Sequence, residues 1–169
     1  MANGQSGREV VLPPEQVSEQ ITYDSLDSHM RYASDIGQAA IPMGMLLAWS
    51  VRMGIVSQAF ERAHETLVLR VRMEEVAGSE LLVAAGGDLT STLYSPQGQK
   101  FMGRYYGRFS GDYQKVFGVD ETTMYEIKDN WANYARLAAH LTPLLLGTKA
   151  KKSRQGVGLF GRLKQKLWH

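Results

Sequence analysis

The longest apolar stretch of the chain, Ala39 to Val56, constrains the fold more than any other segment. Arg52 interrupts it, so its continuous apolar part is shorter than the ~20 residues that a helix needs to cross a bilayer. Apolar side chains recur within it at helical spacing, namely Leu46, Trp49 and Met53. Pro42 is tolerated in a first turn, where its missing N–H is not needed. We therefore predict a buried core helix from about Gln38 to Met53, ended by Gly54.

Helical periodicity and capping residues predict that the rest of the body is helical as well. We expect further helices over residues 57–71 (with Ser57 as N-cap), 79–85, 96–109, 112–117 and 129–147. Gly111 would separate two of these helices, Asp129 would cap the last, and Pro143 would kink that helix or end its regular part near Ala139. The alternating residues of Leu67 to Met73 leave a strand as an alternative there. The predicted fold class is all-α, a compact irregular bundle of about five or six helices with room for one short strand pair.

Charge divides the chain into two parts of opposite sign. The chain has 19 Lys/Arg and 17 Asp/Glu, a formal net charge of +2. Seven of the basic residues and none of the acidic ones lie between Thr148 and His169, so the rest of the chain carries −5. We predict a disordered N-terminal arm over residues 1–20, a helical domain over 21–147 and a basic amphipathic C-terminal tail over 148–169. The arm lacks the apolar core of a signal peptide, and the chain has no cysteine, so a cytoplasmic location is expected.

The sequence contains no pattern that is typical of catalysis or cofactor binding. There is no Gly-x-Ser-x-Gly element, and Gly86-Gly87 lacks the Gly-Lys-Ser/Thr of a phosphate loop. Neighbouring acids such as Glu74 and Glu75 point in different directions on a helix, so they do not form a catalytic pair. Known metal-ligand spacing is also missing from the polar lead-in segment, which contains Asp24, Asp27, His29 and Asp35. We therefore predict a protein that is not an enzyme, with no catalytic residues, no cofactor and no metal site.

Aromatic and basic side chains alternate between Phe101 and Lys115, as they do on surfaces that stack on single-stranded nucleic acid. The aromatic residues recur at i, i+4 and i+8, however, so a core helix with arginines on its outer face is the stronger interpretation. An acidic body also repels phosphate. We therefore predict no nucleic-acid partner.

Four motifs occur in order along the chain: Gly-x-x-Leu-Ala-Trp at Gly44–Trp49, Gly-hydrophobic-Val-Ser at Gly54–Ser57, Gly-x-x-Phe…Tyr-Tyr at Gly98–Tyr106 and Tyr-x-Ile/Val-x-Asp-x-Trp-x-Asn-Tyr at Tyr125–Tyr134. Together they resemble a small bacterial domain family of unknown function. The chain carries Ile41-Pro42 where members often have Thr-His, and its basic tail lies outside the family pattern. Members are similar to antitoxin or immunity proteins. The resemblance therefore implies an immunity protein that binds and occludes a cognate secreted toxin, of the kind delivered by type VI secretion.

Acidic residues between helices or at helix starts form the candidate toxin-binding surface. An acidic surface can occupy the basic cleft of a toxin such as a nuclease, and complementary charge accelerates association. Acids near helix N-termini also favour the helix dipole, so a merely solvated surface stays open as the alternative. The candidate residues are Glu74, Glu75, Asp88, Asp112, Asp120, Glu121 and Glu126.

The C-terminal tail contains a short amphipathic segment with a candidate docking face. Basic residues such as Arg162 and Lys166 fall on its opposite side. The segment could lie on a membrane surface, fold back on the acidic body or pack on a second copy in a homodimer. The alternative function is accordingly a peripheral membrane or scaffold-associated adaptor. The docking residues are Leu159, Phe160, Leu163, Leu167 and Trp168.

Overall fold

A single buried helix, α2, forms the centre of the molecule. The computed structural model describes residues 19 to 147, and within it α2 spans Ile36–Arg52. Every residue from Ala39 to Val51 is buried, as the apolar stretch predicts. The helix begins two residues earlier than expected, because the Asp35 side chain accepts a hydrogen bond from the Gln38 N–H at 2.9 Å. Pro42 consequently lies inside the helix and not in its first turn.

Helix α2 is surrounded by shorter elements, beginning with strand β1 (Thr22–Ser25) and helix α1 (Leu26–His29). The segment expected to be an extended lead-in, residues 21–37, therefore contains a strand, a helical turn and the start of α2. Strand β1 pairs antiparallel with β2 (Asp88–Thr90), with Ser25 opposite Asp88. The predicted fold class allowed one short strand pair, and β1 and β2 form it.

A break at His64 divides the second predicted helix into α3 (Gln58–Ala63) and α4 (Glu65–Arg72). Ser57 caps α3 as predicted, since its hydroxyl accepts a hydrogen bond from the Phe60 N–H at 3.1 Å. The strand alternative for Leu67 to Met73 is wrong. Val68 and Val71 are buried while Leu69 and Met73 are exposed, which is helical spacing and not alternation.

Among the described helices, α5 (Gly78–Ala84) and α2 form the pair with the most extensive contact. The two backbones touch at a glycine pair, because a Cβ on Gly78 would lie 1.9 Å from the Gly44 carbonyl oxygen. A Cβ on Gly44 would lie 2.4 Å from the Ser79 nitrogen. Gly44, the glycine of the Gly-x-x-Leu-Ala-Trp motif, is therefore required for close packing.

Helix α6 (Pro96–Phe117) is one continuous element of 22 residues. The predicted break at Gly111 is wrong: the buried stripe that includes Tyr105 and Phe109 continues through Tyr113, and this packing outweighs the low helix propensity of one glycine. Gly118, with φ of +70°, ends the helix in the left-handed conformation.

Helix α7 spans Trp131–Leu146. Its N-cap is Asn130, whose side chain accepts a hydrogen bond from the Asn133 N–H at 2.9 Å, so the predicted Asp129 cap is wrong by one residue. The helix also continues past Pro143 to Leu146, and Gly147 closes it with φ of +66°. Of the two effects predicted for Pro143, an end of the regular helix near Ala139 is therefore wrong, whereas the predicted end of the helical segment at Gly147 is confirmed.

Two 3₁₀ turns, Ser91–Leu93 and Met124–Glu126, complete the described part of the chain. Residues 19 to 147 thus contain seven α-helices, some of a single turn or two, and one antiparallel strand pair. The predicted fold class, an irregular helical bundle with a short strand pair, is confirmed. In this part of the chain, no helix combines the length and the apolar character that crossing a membrane requires.

Candidate protein-binding surface

His29 joins the N-terminal elements to the body through both of its ring nitrogens. Nε2 lies 2.8 Å from the Asp24 carboxylate on β1, and Nδ1 lies 2.6 Å from the Tyr125 hydroxyl in the second 3₁₀ turn. Because a carboxylate only accepts hydrogen bonds, Nε2 carries the hydrogen. In a neutral ring, Nδ1 then accepts from Tyr125. The Tyr106 hydroxyl, on α6, also donates to Asp24. We call these four side chains the His29 network.

The His29 network keeps Asp24 ionised. Burial alone would raise the pKa of this carboxyl, but the hydrogen bonds from His29 and Tyr106 outweigh burial and hold the pKa below its usual range. The pKa values of the two tyrosines are shifted in the opposite direction, since burial raises the pKa of both Tyr106 and Tyr125. At neutral pH the His29 network therefore contains one ionised carboxylate, that of Asp24, which accepts hydrogen bonds from His29 and Tyr106.

A hydroxyl, an imidazole and a carboxylate in this order also occur in nucleophilic catalysis. Here the hydroxyl belongs to Tyr125, which is 4 % exposed, and burial keeps it protonated. We therefore interpret the His29 network as structural. It fixes β1 and α1 against α6 and the second 3₁₀ turn.

Three large side chains between the end of α1 and the first residue of α2 are exposed: Met30, Tyr32 and Ile36. Tyr32 is 51 % exposed, and its ring lies parallel to that of Tyr125, with 6.3 Å between the centroids and 6° between the planes. The Arg31 guanidinium lies 5.5 Å from the centre of the Tyr32 ring. The exposed ring is therefore held in place by an aromatic contact below it and a cation beside it.

The Tyr32 ring borders an acidic loop. Glu121 lies close enough to Tyr125 for its charge to contribute to the raised pKa of that tyrosine. Asp120 orders the loop: it accepts hydrogen bonds from the Thr122 hydroxyl at 2.7 Å and from the N–H groups of Thr122 and Thr123 at 2.9 and 3.0 Å. These bonds lower the pKa of Asp120 to about 2.

Two segments, Met30–Ile36 and Asp120–Glu126, meet at the stacked rings of Tyr32 and Tyr125. Their exposed side chains form what we call the Tyr32 surface. The two segments contain one Arg and four Asp/Glu, so they carry a formal charge of −3. The Tyr32 surface thus combines exposed apolar side chains with negative charge.

Three of the seven predicted toxin-binding residues lie in the acidic loop, namely Asp120, Glu121 and Glu126. Glu74 and Glu75 lie elsewhere, in the turn after α4, and each has a basic partner. Glu74 is 2.6 Å from Arg52, and Glu75 is 3.4 Å from Arg70. Asp88 is exposed at the start of β2.

Asp112 does not belong to an exposed acidic surface, since it is only 7 % exposed. It occupies the inner side of α6, where the Tyr105 hydroxyl donates to it at 3.1 Å and the His140 Nε2 of α7 lies 3.1 Å away. Burial alone would raise its pKa, but His140 and Tyr105 outweigh burial and lower it. Its place among the predicted binding residues is corrected accordingly: Asp112 fixes α6 to α7.

This arrangement was only partly predictable from sequence. Asp24 and His29 are both in the polar lead-in segment, which lacks known metal-ligand spacing, and the structure brings these two side chains together. Asp35 instead caps α2. Within residues 19 to 147, no three acidic or histidine side chains converge as metal ligands would. The tail residues Leu159, Phe160, Leu163, Leu167 and Trp168 lie outside the described residues.

The fold and the Tyr32 surface define a mostly helical domain with a candidate site for another protein. Residues 22–127 match the family described as a domain of unknown function (DUF7832), and the chain belongs to this family because the match covers more than half of it. The matched region runs from β1 to the end of the acidic loop, so it includes the whole Tyr32 surface. No curated protein and no solved structure matches the chain. An association with toxin immunity is not part of the family description and stays a prediction.

Proposed function

We propose that this protein is an immunity protein that binds a cognate toxin through the Tyr32 surface and occludes its basic active-site cleft. The observation that carries the proposal is the position of the exposed Tyr32 ring beside the acidic loop of Asp120 to Glu126. An apolar centre with a charged border is the usual composition of a specific protein–protein interface.

Tyr32 is suited to be the anchor of such an interface. Tyrosine is enriched among residues that contribute most of the binding energy, because a large ring is buried at a small entropic cost. The Tyr125 ring below Tyr32 and the Arg31 guanidinium beside it restrict the ring before a partner arrives. This restriction reduces the entropy that binding would otherwise lose.

The charge of the body supports a basic partner. Residues 19 to 147 contain eleven Lys/Arg and fifteen Asp/Glu, a formal charge of −4. A negative surface attracts a cationic cleft, such as one that binds phosphate in a nuclease, and increases the association rate. Because hydrogen bonds within the loop hold Asp120, its carboxylate meets the partner in a fixed position.

The test is co-expression with the product of the gene adjacent to this one. The wild-type chain should restore growth that the adjacent product arrests, and the two proteins should co-purify. Glu121→Lys and Tyr32→Ala should abolish or strongly weaken both effects. Glu65→Lys, at an exposed position on α4, makes the same charge change away from the acidic loop and should leave both effects intact.

Three results would overturn the proposal. The first is an adjacent product that does not arrest growth, the second is failure of the wild-type chain to rescue, and the third is equal rescue by all variants. The adaptor alternative depends on residues 148–169, outside the described part of the chain. Co-sedimentation with anionic liposomes, compared between the full chain and a chain ending at Gly147, separates that alternative from toxin binding.

A further inference from the structure

A second surface, distinct from the Tyr32 surface, is an open groove of about 870 Å³ between the C-terminal part of α2 and helix α7. Small side chains of α7 form its floor: Ala135, Ala138 and Ala139. Its aromatic wall includes Trp131 and Tyr134, whose ring centroids are 4.7 Å apart. On the α2 side of the groove, the Trp49 indole N–H donates a hydrogen bond to the Thr142 hydroxyl at 3.1 Å, and this bond connects α2 to α7.

Among residues 19 to 147, Arg52 is the one basic residue that lines the groove, and its side chain already has partners. The Arg52 guanidinium is 2.6 Å from Glu74 and lies over the rings of Trp131 and Tyr134, at 5.4 and 5.6 Å from their centroids. The groove therefore offers apolar and aromatic surface with its positive charge neutralised. An apolar segment with basic residues on its outer side could enter without meeting an unpaired cation.

We propose that this groove binds the segment Leu159–Trp168 of the same chain. The groove extends along α7 to Thr142 and Pro143, and the described chain ends at Gly147, a few residues beyond them. Eleven residues, 148–158, connect this end to the segment. They span up to ~36 Å when extended, whereas a helix of 16 residues is ~24 Å long. The connection is therefore long enough to return along the whole groove.

The pattern of the segment complements the groove. Leu159, Phe160, Leu163 and Leu167 fall on one face at helical spacing, and Arg162 and Gln165 lie toward the other side. A floor of alanines allows a helix to approach α7 closely, which brings the larger side chains of the segment against the aromatic wall. The basic residues of the tail would face a body of formal charge −4.

The covalent connection favours the chain's own segment over a second copy. Tethering through a short connection provides an effective concentration on the order of millimolar, which exceeds the concentration of free chains in a micromolar sample. Even if the segment binds weakly, it therefore occupies the groove of its own chain before the groove of another chain. This inference does not depend on the proposed toxin-binding function, because the groove and the Tyr32 surface consist of different side chains.

The absence of cysteine allows a direct test by paramagnetic NMR. A Gln165→Cys variant of the full chain carries one nitroxide label on the polar side of the segment. The amide signals of Ala135, Ala138 and Ala139 should be broadened, and reduction of the nitroxide should restore them. Ala139→Arg blocks the floor of the groove and should remove most of the broadening. Ala63→Arg, at an exposed position of α3 outside the groove, should preserve it.

A mixed sample identifies the origin of the broadening. It contains an isotope-labelled chain without nitroxide and an unlabelled chain with nitroxide. Broadening in this sample would show that a second copy occupies the groove and would overturn the intrachain proposal. Broadening that is absent, or that is equal in the Ala139→Arg and Ala63→Arg proteins, would overturn it as well.

Discussion

His29 shows how single residues position the candidate binding surface. Its two ring nitrogens contact Asp24 and Tyr125, which lie about a hundred residues apart in the sequence. Tyr125 in turn supports the exposed ring of Tyr32. A local network of hydrogen bonds thereby determines where the proposed anchor stands.

Asp24→Asn should lower the stability of the fold at neutral pH. The folded state lowers the pKa of Asp24, so its contribution to stability is present above the unfolded pKa and is lost as the pH falls through the folded pKa. The substitution leaves the donors of His29 and Tyr106 without a carboxylate, at a cost of about 1–3 kcal/mol. Urea unfolding at pH 7 and near pH 3 measures the effect.

The difference between wild type and Asp24→Asn should shrink at the lower pH, because the Asp24 carboxyl binds a proton more readily in the unfolded state than in the folded state. Asp27→Asn, at an exposed position of α1, is the matched control and should change little at either pH. An Asp24→Asn deficit of the same size at both pH values would contradict a role of the ionised carboxylate.

Individual side-chain partners were the least predictable part of the structure. Asp112 was predicted to belong to the acidic surface because it follows Gly111 at an expected helix start, yet it is buried against Tyr105 and His140. A contact between α6 and α7 determines this burial, and no local pattern encodes it. Asp24 and His29 are only five residues apart, but their shared network depends on Tyr106 and Tyr125, which are distant in sequence.

At the scale of elements, two glycines of α6 distinguish the effect of helix propensity on stability from the effect of packing. A Cβ on Gly107 would meet nothing within 4 Å, whereas a Cβ on Gly98 would lie 2.1 Å from the Ile55 carbonyl oxygen. Gly107→Ala should therefore raise the free energy of unfolding by about 0.5–1 kcal/mol, because alanine loses less entropy in a helix. Gly98→Ala should lower it by about 1–3 kcal/mol, because the close contact must open.

Denaturant unfolding of these two variants beside the wild type is the measurement. A loss of stability in Gly107→Ala would contradict a continuous helix at this position. Unchanged stability in Gly98→Ala would contradict the close approach of α6 to the end of α2.

The start of α7 gives a second prediction at this scale. Asn130→Ala removes the side chain that caps the helix and should cost about 0.5–2 kcal/mol. Asp129→Asn should not destabilise the protein at neutral pH, although sequence alone pointed to Asp129 as the cap. Burial raises the pKa of Asp129, so the folded state favours its protonated form and loses stability as the pH rises through the folded pKa. An asparagine avoids that loss and still offers an oxygen to the Ser79 hydroxyl.

Unfolding of both variants at neutral pH distinguishes the two residues. A larger loss in Asp129→Asn than in Asn130→Ala would reverse the assignment of the cap.

Most elements were predictable because local chemistry determines them. The apolar run of α2, the Ser57 cap and the stop at Gly147 all have local signals, and all are present. The errors occur where tertiary packing outweighs a local rule. Gly111 does not interrupt α6, since Tyr105, Phe109 and Tyr113 continue one buried stripe across it.

At the scale of the whole molecule, two candidate surfaces have different chemistry. The Tyr32 surface is acidic around an exposed aromatic ring, and the groove beside α7 is apolar and aromatic. The separation of charge between body and tail was visible in the sequence. The meeting of Met30–Ile36 with Asp120–Glu126 was not, because it depends on the docking of the α1–α2 connection onto a 3₁₀ turn far along the chain.

The central claim is that a basic toxin binds at the Tyr32 surface, and calorimetric titration of the adjacent gene product into this protein tests it most directly. We predict that Glu121→Lys and Tyr32→Ala each raise Kd by about tenfold or more, as expected for a residue at the centre of an interface, and that Glu65→Lys leaves Kd unchanged. Affinity should also fall as the salt concentration rises. Absence of binding by the wild-type chain, or equal Kd values for the Glu121→Lys and Glu65→Lys proteins, would contradict the claim.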